Sequence, residues 1–172
     1  MTNISSIFGA ILGMLSIGII KRKDMVILIE NKDTICLINE CDAGSNMAVS
    51  SIDDVVEKVS DSAMKQLLQE SKKHHEKLGN EIHAQLNKHG AQEKEPAPMA
   101  KGMSWMKTTM KMSMDNSDAT VADLITDGCD MGIKSLHKYM NYYHSADSTS
   151  KELCNKLIGS EEELKSKLEK YL

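Results

Sequence analysis

At 172 residues, with 41% apolar and 27% charged side chains, the chain has the length and composition of one globular domain, which excludes disorder or membrane burial throughout. Aromatic residues supply only 3% against 13 Met, so the core is aliphatic and sulfur-rich, a filling that suits helices better than sheets. The 25 acids are interleaved with 21 bases for a net charge of -4; no basic face is left for phosphates, which excludes nucleic acid as a partner.

The run from Ile7 to Ile20 is almost wholly apolar, and Lys21, Arg22 and Lys23 follow it directly. It is too short to span a bilayer, which takes roughly 20 apolar residues, and a secretory signal carries its positive charge ahead of the apolar stretch. Residues 1–30 therefore read as an N-terminal extension, poorly ordered or a weak anchor. Any membrane association falls on residues 7–20, and the basic trio would then keep residues 31–172 in the cytoplasm. Cys36, Cys41, Cys129 and Cys154 make no CxxC pair, so they read as reduced thiols of a cytoplasmic protein.

From Lys32 to about Ser60, Ile35, Ile38, Val49, Ile52, Val56 and Val59 recur at helical spacing and predict a first amphipathic helix. Asp61-Ser62 offers a turn and an N-cap, and Met64, Leu67, Leu68, Leu78, Ile82 and Leu86 then mark a second helix ending near Gly90. So short a link predicts an antiparallel pair. The segment AQEKEPAP holds both prolines and cannot be crossed by one continuous helix. After it, Met99, Met103, Met106 and Met110 fall on one face of a short extra helix. Asp115 to Asp118 caps a third long helix, from about Asp118 to His144, with Val121, Leu124, Ile125, Leu136, Met140 and Tyr143 inward. Ser145 to Ser150 turns into a fourth, whose stripe is Leu153, Leu157, Leu164, Leu168 and Leu172. Gly128 and Gly132, four apart in the third helix, cost helix stability and point to close helix packing as compensation.

The stretches SIDDVVEKVSD, LLQESKKHHEKLGNEI, DNSDATVADLITDGCDMGIKSL and EEELKSKLEKYL resemble those of small, uncharacterised bacterial proteins of the ferritin-like superfamily. The resemblance covers about Thr34 to Leu172 and implies an all-α, antiparallel four-helix bundle. Ferritin-like di-iron proteins take one Glu from each of two helices and a Glu-x-x-His pair from each of the other two. Here Glu70 and His74 are four apart, the fourth helix has Glu161, Glu162 and Glu163 but no His, and Asp127 and Asp130 are three apart without one. The complete di-iron motif is absent.

Polar residues interrupt the apolar stripes at Asp42 and Ser45 on the first helix, Ser71 and His75 on the second, and Glu161 on the fourth. A buried charge needs a partner or a metal. Asp42, His75 and Glu161, with Ser71 nearby and a partner from the third helix, are thus the candidate metal ligands, and their chemistry suits iron, manganese or zinc. The bland alternative puts these interruptions at bundle ends, where the seam widens and water enters. Thioether sulfur in the Met stripe suits Cu(I), although its spacing is that of an ordinary apolar face. Carboxylates beside Cys41 and Cys129 raise a thiol pKa and argue against a reactive cysteine, and no nucleophile elbow, phosphate loop or HExxH is present. The expected protein is a non-catalytic binding or stress-related accessory bundle that self-associates through exposed Met and Tyr139, Tyr142 and Tyr143. The alternative is a divergent metal-binding or redox protein.

Overall fold

The structure, a computed structural model, describes residues 22–89 and 117–172. They fold as four helices packed together: α1 (Arg22–Val55), α2 (Ser62–Lys88), α3 (Asp118–Tyr142) and α4 (Ser148–Leu168). Single 3-10 turns follow α1 (Val56–Lys58) and α4 (Glu169–Tyr171). The Met stripe and the short extra helix expected around it, the proline linker and residues 1–21 lie outside the described residues.

Three of the four helix starts carry a side-chain cap, each satisfying an amide that has no intrahelical acceptor. Asp61 accepts from the Met64 amide at 2.7 Å, Ser117 from that of Thr120 at 3.3 Å and Asp147 from that of Ser150 at 2.7 Å. The expected turns stand, but α1 differs at both ends from the predicted first helix. It runs from Arg22 and crosses residue 31 unbroken, and it stops at Val55 where a 3-10 turn and extended backbone at Val59 lead into α2.

Side-chain contacts define two ends of the bundle. At one, His89 meets Asn31 and Asp147, and Thr34 accepts from the Asp147 amide at 2.9 Å. At the other, the Asp118 carboxylate accepts from the amides of Ser60 and Asp61 at 2.7 and 2.8 Å, and the Tyr171 hydroxyl donates to Asp61. Between them Lys72 pairs with Asp53 and Lys165 with Asp130, both at 2.6 Å.

The buried apolar residues form two clusters stacked along the bundle. One holds Leu37, Ile38, Leu78, Ile82, Leu86, Leu136, Leu153 and Leu157 with Cys41 and Cys154. The other holds Ile52, Val55, Met64, Leu68, Val121, Ile125, Leu164 and Leu168 with Cys129. The stripe read for the first helix missed Leu37, Cys41 and Val55, which are fully buried. It included Ile35 and Val49, which are half-buried. Leu172, read as the last rung of the α4 stripe, is 63% exposed, because regular α-helix ends at Leu168 and the chain leaves the helical phase there.

Candidate functional site

A polar layer separates the two apolar clusters. Ser45 from α1, His75 from α2, and Ser160 and Glu161 from α4 are all buried, and they lie at mid-bundle rather than at an end. The expected alternative of a widened bundle end therefore does not apply to Ser45, His75 or Glu161.

His75 is completely inaccessible to solvent. Its Nδ1 lies 2.9 Å from the Ser71 carbonyl oxygen, one helical turn back. A carbonyl oxygen only accepts, so Nδ1 carries a proton and donates it there; the Ser71 hydroxyl, 3.4 Å away, is a weaker contact. On the other side of the ring Nε2 lies 3.3 Å from Glu161 Oε1. The alignment there falls outside hydrogen-bond geometry, so the two groups are held by charge. Burial pulls the imidazole pKa down, but the Glu161 carboxylate and the Ser71 carbonyl outweigh it and leave it above the ordinary histidine value. The imidazolium form is thereby favoured, with Nε2 turned toward the Glu161 carboxyl group.

Ser45 locks α1 onto this layer by donating its hydroxyl to the His75 backbone carbonyl at 2.8 Å. The approach depends on Gly79, where an added Cβ would stand 3.0 Å from Ser45 Oγ. Asp42, expected with His75 and Glu161, is half-buried on α1 and accepts from the Asn46 side chain at 3.2 Å. Among the described residues no group of three or more His, Cys, Asp or Glu side chains is arranged to hold a metal ion. His75 and Glu161 are thus brought together, and Asp42 does not complete a set with them.

Glu161 also borders a cavity of about 240 Å³ between α1, α3 and α4. Its walls are mostly apolar and include Ala43, Gly44, Met47, Gly128 and Gly132. The expectation of close packing at the α3 glycines fails at Gly128. An added Cβ there would meet nothing within 4 Å, and at Gly132 it would meet the Glu161 side chain only at 3.8 Å. Gly128 thus opens onto the recess, while Gly132 sits in ordinary contact with the Glu161 side chain of α4. Gly44, which the sequence reading passed over, sits opposite them with Leu157 Cδ2 at 3.4 Å from its Cβ position. A glycine inside an apolar helical pattern was the available signal.

The four cysteines are free thiols, and Cys41, Cys129 and Cys154 are buried. Cys129 lies beside Glu161, and burial first, then that carboxylate, pushes its thiol far above the ordinary range. Cys41 is raised by its hydrogen bond with Cys154 and by burial, with the adjacent carboxylates Glu40 and Asp42 contributing least. The expected direction holds, but tertiary contacts and desolvation dominate the sequence neighbours. Neither thiol is activated as a nucleophile.

Compared with known proteins, the chain matches no family model and has no significant match to a curated protein or to a solved structure.

Proposed function

We propose that this chain is a non-catalytic binding protein, an antiparallel ferritin-like bundle that takes up a small apolar ligand in the cavity beside its polar layer. The order of contacts supports the antiparallel pairing. Asn31, Ser45 and Asp53 of α1 meet His89, which caps α2, and then His75 and Lys72 of α2 in reverse order, and Asp130 and Leu136 of α3 meet Lys165 and Cys154 of α4 likewise. The ferritin-like reading draws on connectivity. The end of α2 lies beside Asn31 and Asp147, the start of α3 beside Ser60 and Asp61, so a single long connection links opposite ends of the bundle.

The observation that carries the binding reading is the unfilled apolar space at Gly128. The recess is half-open, and its volume of about 240 Å³ exceeds the roughly 150 Å³ at which an apolar cavity binds a small aromatic molecule. Indole, an apolar ring with one N–H that Glu161 can accept, is the probe of choice. Ligand-observed NMR is expected to detect its binding to the native protein and to the Gly128→Ala variant, and to detect none with Gly128→Leu, whose side chain fills the recess. Gly128→Ala should also gain up to about 1 kcal/mol in stability, because the helix loses its flexible residue and nothing clashes. Indole binding that survives Gly128→Leu in a folded protein, or no binding to the native one, would sink the reading.

A second reading, a divergent metal-binding protein for iron, manganese or zinc, draws on the fixed tautomer of His75. A metal-ligating histidine characteristically donates its other nitrogen to a backbone carbonyl, as Nδ1 does here toward Ser71. Nε2 is then the ligand atom with Glu161 beside it, once its proton is lost. Elemental analysis of tag-free protein separates the readings: near-stoichiometric metal that disappears in His75→Ala supports this one, and metal-free protein after reconstitution removes it.

A further inference from the structure

The start of α1 has a character unlike the rest of the bundle. Val26, Ile27, Leu28 and Ile29 are 55, 53, 50 and 40% exposed, and they are consecutive. At about 100° per residue, four successive side chains cover most of the helix circumference, so this section is apolar on every side instead of along one stripe. A helix on the surface of a water-soluble bundle keeps a polar face. Among the described residues, polar contacts from α1 to other elements begin only at Asn31, Asp33 and Thr34. Val26 to Ile29 therefore lie ahead of the polar contacts that tie α1 to the other elements.

We propose that this exposed apolar section of α1 is a membrane-docking element, inserting Val26 to Ile29 into the boundary between the headgroups and acyl chains of a lipid bilayer. A second protein helix would cover one side of α1 and leave the other apolar sides in water. The boundary region of a bilayer takes in more of these sides at once than one helix does. The sequence on the N-terminal side has the same character, with the apolar run Ile7 to Ile20 and then Lys21, Arg22 and Lys23, of the sign that attracts anionic headgroups. Asp24, exposed, opposes that attraction locally, so apolar burial is the main contribution. No described helix is long and apolar enough to cross a membrane, and the proposed contact is interfacial.

Flotation of the full-length protein with vesicles tests this, using phosphatidylcholine alone and phosphatidylcholine mixed with phosphatidylserine. The native protein is expected to float with the mixed vesicles. The variant Val26→Gln/Ile27→Gln/Leu28→Gln/Ile29→Gln keeps helix-forming residues and touches no core position. It should melt like the native protein and lose at least about tenfold in vesicle partitioning, since several aliphatic side chains then forfeit their transfer from water. Native protein that stays unbound with both vesicle types overturns the proposal, as does a variant that floats equally well. A dimer in sedimentation velocity that the variant dissolves, with no flotation, would assign the surface to a second copy of the chain instead.

Discussion

Replacing His75 by Leu is expected to destabilise the fold at neutral pH by about 3–5 kcal/mol, more than replacing Glu161 by Leu. Either change breaks the buried His75–Glu161 pair, and an uncompensated buried charge is costly. The two remnants differ, however. An imidazole left without Glu161 sheds its proton near neutrality at small cost, so Glu161→Leu should lose only about 1–3 kcal/mol, the cost of a buried polar atom without its partner. A carboxyl group left without His75 must either hold an uncompensated buried charge or take up a proton far above the ordinary carboxylate range, and at pH 7 both are costly. The double replacement, apolar on both sides, should recover most of the loss. In the native protein the His75 pKa lies above its ordinary value. The stabilisation from the pair is therefore fully present below about pH 6.5, the value in the unfolded chain, and is lost as pH rises through the higher folded value. Urea denaturation from pH 5 to 9 should show that decline in the native protein and none of it in the double variant. A double variant as unstable as His75→Leu would mean that the polar layer holds the fold by something other than this pair.

Leu157→Ala should cost about 2–5 kcal/mol, while Leu172→Ala should stay within about 0.5 kcal/mol of the native protein. The two leucines belong to the same predicted stripe, yet Leu157 is fully buried and Leu172 is 63% exposed. Leu157 reaches the Gly44 face of α1 and lines the existing cavity. Its removal enlarges a recess already present beside α1, and the rigid helices around it cannot collapse to close the gap. Thermal unfolding of both variants reads the contrast directly. Equal losses would mean that the chain end is docked in solution.

Much of the helical pattern could be read from the residues because its causes are local. Asp61, Ser117 and Asp147 cap helices where a short polar side chain precedes an apolar period. The stripes of α2 and α4 are buried largely as spacing requires, with Met64, Leu68, Leu78, Ile82 and Leu86 on one and Leu153, Leu157, Leu164 and Leu168 on the other. The early start of α1 escaped notice because Val26 to Ile29 are apolar on all sides and show no helical period. In the candidate site, three polar interruptions were visible, but spacing along one helix carries no information about height on its neighbour.

The sequence by itself therefore determined the all-helical class, the capped starts of three helices, and the fact that Ser45, His75 and Glu161 sit where apolar residues otherwise recur. Only the tertiary structure decided that Glu161 faces His75 while Asp42 does not complete a metal-binding set with them, and that Gly128 opens onto space instead of onto a packed helix. The reason is geometric. The 3.6-residue period fixes which face of each helix turns inward. The axial offsets and rolls that bring particular side chains to one level are fixed only when all four helices pack together.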